Sequence, residues 1–243
     1  MDAALACGVK RFVFCSTMGT LGRNRNGPVT EDIAFNWHEQ APPYIRSRRA
    51  AEDQFNRYCR ENGLPGVAVC IANTYGPEDY QPTPQGKILW EVANGKVRLL
   101  WNAAQPTVDI RDAARAMLLA EAHGRIGERY IIANEFLSYR DLFGLAATEG
   151  AQKPPIVLPL SAAYASAWIG EHILKTLRRK DYLVRCDAVF LSIAFGELDS
   201  TKARRDLHWK PRPMTETVRD SIAWFRKRKD NAPIELAPIF GHW

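Results

Sequence analysis

Two groups of side chains in this sequence have the types and spacing for moving a proton at a carbon–oxygen bond. Tyr44 and Arg48 lie four residues apart in PYIRSRR, so on a helix they share one face. A cation one turn from a phenol favours the phenolate, which allows a tyrosine to act as proton donor and acceptor. Ser16 and Thr17 close the run RFVFCST, and a Thr17 hydroxyl there could hold a substrate oxygen. Tyrosine with a basic residue one turn on is also an ordinary pattern of solvated helix faces, so spacing alone leaves the role open.

The elements that must position these groups alternate between strand and helix, the pattern of a parallel sheet covered by helices. Residues Arg11–Ser16 read as a buried strand, short, aromatic and β-branched, and parallel sheets place ligand sites at the C-terminal ends of their strands. Ala50–Asn62 is rich in helix formers and stops at Gly63 and Pro65. Gly66–Ala72 reads as a second buried strand, Ile110–His123 as a helix closed by Gly124, and Arg129–Ala133 as a third strand. Ser138 should cap a helix running to about Glu149, with Asp141 three residues on. The segment Lys153–Pro159 reads as a linker or lobe entry. Ala162–Leu177 is expected to form an amphipathic helix presenting Tyr164, Trp168, Ile169 and Ile173, which could cover an apolar substrate or serve ordinary packing.

Composition limits the function classes. The 243 residues are 46% hydrophobic and 25% charged, within the globular range. No run of 18 or more uncharged apolar residues occurs. MDAALACGVKRF lacks the basic-then-apolar order of a secretion signal, and a soluble, cytoplasmic protein is expected. Residues 171–230 carry 15 Lys and Arg against 9 Asp and Glu, which is the whole net charge of +6. These charges alternate on helices whose other face is apolar, such as Thr215–Arg228 with Val218, Ile222 and Phe225. They read as solvated faces, with neither a nucleic-acid partner nor a membrane surface expected. Five scattered cysteines, without C-x-x-C and without histidine at metal-ligand spacing, suggest reduced, mostly buried thiols and no metal.

Five segments follow one another in an order and spacing that resemble the extended short-chain dehydrogenase/reductases: FVFCSTMGTLG, PYIRSRRAAED, VCIANTYGPED, TVDIRDAARA and STKARRDLHWKPRP. The resemblance is to their NAD-dependent epimerase/dehydratase group, with dihydroflavonol-reductase-like and 3β-hydroxysteroid-dehydrogenase-like members. It implies an α/β fold: the C-terminal part of a Rossmann-type parallel sheet (1–78 with 107–134) and a small α/β substrate lobe with C-terminal helices (79–106 and 135–243). It also implies roles. Thr17 would orient the substrate, Tyr44 would be the general acid/base of Y-x-x-x-K, and Arg48 would stand at the lysine position. Ser16, Tyr44, Arg48 and Asn73 would face an NAD or NADP cofactor, while Thr17, Asn73, Gln81 and Thr83 would face substrate.

Three departures from that pattern bear on activity. The motif here is Y-x-x-x-R; arginine keeps the charge but is bulkier and relays a proton poorly. No G-x-G-x-x-G or G-x-x-G-x-x-G occurs, and GTLGRNRNG has the wrong spacing and position for a phosphate loop. The chain opens on what resembles the helix before the family's fourth strand, so about 90 residues, at roughly 30 per βα repeat, would precede it in a full-length member. The third departure is Gln105, seven residues before Asp112, where nucleotide-sugar epimerases commonly place an arginine; this favours an apolar ketone or alcohol. Two functions are therefore expected to compete: an NAD(P)-dependent oxidoreductase or epimerase/dehydratase acting on a small apolar or sugar-like substrate, and a catalytically inactive scaffold without dinucleotide affinity. An apolar edge left beside RFVFCS would make the isolated chain unstable, chaperone-dependent or homo-oligomeric. His38, ahead of Tyr44, and His208, where relatives often carry glycine, read as loop and turn residues.

Overall fold

A computed structural model of the chain describes residues 1–24, 26–165 and 186–231. They form two compact units. The first comprises Met1–Thr74, Val108–Asn134 and Phe195–Pro211; the second comprises Tyr75–Thr107, Glu135–Ala194 and Arg212–Trp243. Residues 195–211, expected in the substrate lobe, lie instead in the first unit. There Val29 N–H donates to Glu197 O at 2.8 Å and Asp199 N–H to Val29 O at 2.9 Å, a pairing between distant segments that no local pattern announces.

In the first unit a short helix α1 (Asp2–Ala6) leads into β1 (Phe12–Thr17), and a 3-10 turn, Met18–Thr20, follows at once. After a long loop come α2 (Pro43–Asn62) and β2 (Gly66–Ile71), and the short β3 (Asn73–Tyr75) then carries the chain into the second unit. Strand β1 runs parallel to β2, with Phe12 beside Gly66 and Thr17 beside Ile71. The prolines at the start of α2 suit a first helical turn, whose N–H groups have no partner in the helix. Gly63 ends it with φ 69°, the left-handed conformation that glycine adopts without steric cost.

One face of β1 and β2 is filled by α2. Phe55 is 1% exposed and stacks on Phe14 with ring centroids 4.7 Å apart. Gly66 makes room for it, since a Cβ there would lie 2.5 Å from the Phe55 ring.

In the second unit α3 (Pro84–Ala93) precedes β4 (Leu99–Trp101) and β5 (Ala104–Asp109), the last of which runs on into the first unit. The first unit then adds α4 (Ile110–His123), capped by Asp109, and β6 (Arg129–Ile132), which completes the parallel order β1-β2-β6. Small residues Ala113, Ala116 and Ala120 let α4 lie close against a core that includes Val67, Val69 and Ile131. The second unit resumes with β7 (Glu135–Ser138), antiparallel to β5, and α5 (Tyr139–Glu149), which Ser138 caps through Asp141 N–H.

The segment Lys153–Pro159, expected to be a linker, contains a strand, β8 (Ile156–Leu158), that pairs in parallel with β4, Leu99 beside Ile156. Residues 160–165 are helical and are labelled α6. The rest of the amphipathic segment expected to run to Leu177 lies outside the described residues. Helices α7 (Cys186–Ala194), α8 (Thr201–Asp206, first unit) and α9 (Met214–Asn231) complete the described chain. In α9, Val218, Ile222 and Phe225 are buried against Leu89, Leu142 and Phe143, as the periodicity required. No helix among the described residues is long and apolar enough to cross a membrane.

Among the described side chains the cysteines are less buried than expected: Cys7 and Cys15 are exposed, Cys59 is partly covered and Cys70 is buried. Cys15 lies on the face of β1 that carries Val13, opposite Ser16, and is exposed where that face is no longer covered. Burial pushes the Cys70 thiol up to about 12. A thiol reagent should therefore label Cys7 and Cys15 quickly and Cys70 only on unfolding, as read by mass spectrometry. Phe55→Ala should cost about 3–5 kcal/mol in urea unfolding; a loss below about 1 kcal/mol would show that the cover of β1 and β2 does not depend on that ring.

Candidate active site

The residues at the C-terminal end of β1 are held by the first turns of α2 at several points. Ser16 (3% exposed) donates its hydroxyl to the carboxylate of Glu52 in α2, a side chain with no exposure at all. Arg48 Nη2 donates to Cys15 O at 2.7 Å, and Arg49 Nη1 to Thr20 O at 3.2 Å. Gly19 sits so near α2 that a Cβ on it would lie 2.4 Å from Ile45 Cδ1. A larger residue there would have to displace the tip of the Ile45 side chain. Thr17 caps the turn, its Oγ1 accepting from Gly19 N–H at 3.3 Å.

Helix α2 thus carries Tyr44, Arg48 and Glu52 at four-residue intervals, one face by helical geometry. Tyr44 lies in the first turn and is 49% exposed. Arg48 is partly buried, and its Nε is buried with no hydrogen-bond partner. Asn73 follows the end of β2, two residues past Ile71, the strand neighbour of Thr17. Thr17 and Asn73 therefore leave the sheet from the same end of adjacent parallel strands, where α/β sheets bind ligands.

Ser16, expected beside the cofactor, is instead turned into the protein. Its Oγ lies 3.1 Å from Thr20 Oγ1, and its proton is committed to Glu52. Beneath it Arg129 of β6 pairs with Glu52 at 3.3 Å and also donates to the carbonyls of Glu31 and Ile33 in the long loop. Spacing arguments missed both Glu52 and Arg129. The available signal was the repeat Tyr44, Arg48, Glu52.

Gln81 and Thr83 belong to the second unit. Gln81 is exposed. Thr83 caps α3: Oγ1 accepts from Gly86 N–H at 3.1 Å and donates to Asp79 at 2.9 Å, so its hydroxyl is already used in local structure. His38 packs edge-on to Phe35, and His208 has φ 55° and lies against His123. That left-handed backbone is one where glycine is easier.

Part of a nicotinamide dinucleotide fits these residues. The half-exposed phenol of Tyr44 and the buried, unbonded Nε of Arg48 suit the nicotinamide and its ribose. Phosphates need a cradle of backbone N–H groups, and the glycines after β1 do not make one. Gly19 is packed on Ile45, and a Cβ on Gly22 would lie 2.1 Å from Ala34 O, so both serve close packing.

Residues 1–133 match the sequence profile of the NAD dependent epimerase/dehydratase family. The chain belongs to this family. Among its relatives is the "Sterol demethylase protein B" of Methylococcus capsulatus, 27% identical over 231 residues that cover 94% of this chain and 70% of the relative. The crystal structure of gox2253 superposes with a TM-score of 0.79 at 31% identity, covering 93% of this chain and 69% of that one. A nucleoside-diphosphate-sugar epimerase from Pseudomonas aeruginosa gives 0.77 at 26%, covering 93% and 70%. The parallel order β1-β2-β6 with covering helices is the Rossmann-type arrangement of the epimerase/dehydratase family.

The long loop before α2 is pinned by Glu31, which is 8% exposed and accepts from Ile131 N–H at 2.9 Å. Burial raises its carboxyl above the ordinary 4.5, opposed by that bond and by Lys202, while Asp199 adds to the rise. The folded chain then holds the Glu31 proton more tightly than the unfolded one, so this residue lowers stability as pH rises through and above 4.5. Glu31→Gln keeps an acceptor for Ile131 and removes the titration. Its urea midpoint should gain on the parent between about pH 4 and about pH 7; a constant gap across that range would contradict the assignment.

Proposed function

We propose that this family member works with NAD or NADP as an oxidoreductase or epimerase/dehydratase at a hydroxyl or carbonyl carbon of a small substrate. The observation that carries the reading is Tyr44, half-exposed one helical turn from Arg48, on a helix bonded directly to the strand end that bears Thr17. When bound, the nicotinamide supplies the acceptor or donor of a hydride. The protein's share is proton handling and placement. Tyr44 gives or takes the hydroxyl proton at its phenolic oxygen. Thr17, whose Oγ1 accepts from Gly19, retains its own proton to donate to the substrate oxygen. Arg48 Nε offers a donor to the cofactor ribose, and Asn73 borders both ligands.

An apolar substrate fits better than a nucleotide sugar. Gln105 stands where a phosphate-binding arginine would be expected from the family resemblance. It is 7% exposed and donates to the buried Tyr75 hydroxyl, so it presents no cation. The sterol-linked name of one relative leans the same way, whereas the sugar-nucleotide epimerase leans the other.

A second reading, a scaffold without dinucleotide affinity, draws on Arg48 itself: its Nη2 is already bonded to Cys15 O, which limits how far the side chain can reach. Fluorescence titration with NADH and NADPH separates the two, and binding tighter than about 10 μM supports the first. With turnover in hand, Tyr44→Phe should lower kcat by about 10²–10⁴ and Arg48→Lys should raise it; an unchanged rate for Tyr44→Phe would remove the tyrosine from the mechanism.

A further inference from the structure

The most deeply buried charged group near the site has no part in the chemistry above. Glu52 is fully enclosed, lies on the helix that carries Tyr44 and Arg48, and takes the Ser16 hydroxyl one residue before Thr17. Ser16 in turn touches Thr20 Oγ1, and Thr20 donates to Thr17 O at 2.8 Å. One buried carboxylate is therefore bonded to the strand end just before Thr17, through a hydroxyl whose other neighbour returns to the Thr17 backbone. Its counter-cation, Arg129, comes from the far strand of the sheet.

We propose that Glu52 is the positioning residue of this site: by accepting from Ser16 it fixes the Thr17 turn against the Tyr44 helix, with Arg129 supplying the charge that makes its burial tolerable. The inference rests on Thr17 and Tyr44 being the working pair, and its test needs neither cofactor nor turnover, so the two can fail separately. The competing reading is an ordinary buried ion pair. The two differ physically. A purely structural pair can be exchanged for apolar side chains of similar volume with little or no loss of stability, whereas a positioning acceptor cannot be replaced by a group without a lone pair.

Two variants pull these properties apart. Glu52→Gln keeps an acceptor oxygen for Ser16 but leaves Arg129 without its counter-charge; Glu52→Leu with Arg129→Met removes both charges and the acceptor together. The readout is amide hydrogen exchange by NMR at Gly19 and Leu21, whose N–H groups bond Thr17 Oγ1 and Met18 O, scaled to β2 amides in the same sample. In the double variant exchange at Gly19 and Leu21 should rise at least about tenfold against β2, the comparison with β2 in the same sample removing any general loss of stability from the lost Arg129 bonds to Glu31 and Ile33. In Glu52→Gln the melting temperature should fall and the relative exchange should stay within about twofold.

Parental exchange in the double variant would overturn the proposal and leave Glu52 a structural ion-pair member. If the double variant does not fold, Ser16→Ala asks the same question with the ion pair intact. Faster exchange at Gly19 and Leu21 supports the proposal, and unchanged exchange overturns it.

Discussion

A single buried carboxylate organises the working end of the first unit. Glu52 is out of water, so it must be compensated, and the structure does this from two directions: a hydroxyl from the end of β1 and a guanidinium from β6. Charge burial of this kind is costly on balance and tends to be neutral or worse for stability than apolar packing. Its effect is geometric. It favours one register of α2 against β1, because a shift by one residue would bring to that point either Ala51, which has no acceptor, or Asp53, whose carboxylate is one methylene shorter. The close approach of Gly19 to Ile45 and the bonds from Arg48 and Arg49 to backbone carbonyls then follow in that register.

Much of the fold was legible because its elements are bounded by local signals. Helix α4 spans the expected residues, since Asp109 bonds Arg111 N–H and Gly124 closes the other end. The Ser138 cap with Asp141 likewise needs only neighbours in sequence. The strand ends differ by one residue from expectation because they are set by pairing, which lies in another part of the chain. That is also why β8 was read as a linker: its prolines signal a loop, and its partner, β4, lies more than fifty residues away. The placement of 195–211 went wrong for the same reason, hanging on bonds to Val29.

The site was legible in its exposed chemistry and opaque in its support. Tyr44, Arg48 and Thr17 could be named from spacing and resemblance, and the structure sets them on directly bonded elements. Glu52 reads in sequence as one more polar residue in a helix full of them, AAEDQFNRYCREN. Nothing local distinguishes it from Glu61, which is exposed. Burial is decided by which face of α2 meets the sheet, and the buried Ile45 and Phe55 mark that face in the structure.

The reach of Arg129 also sets an order of events in time. Its bond to Glu31 O joins residues 98 positions apart. During synthesis the segment bearing Thr17 and Tyr44 leaves the ribosome long before its cation exists, and closing so distant a contact is slow compared with forming a helix. Until β6 docks, the Glu52 carboxylate has no counter-charge and every reason to stay in water. The end of β1 and the start of α2 therefore gain their last support from a strand that is made after them.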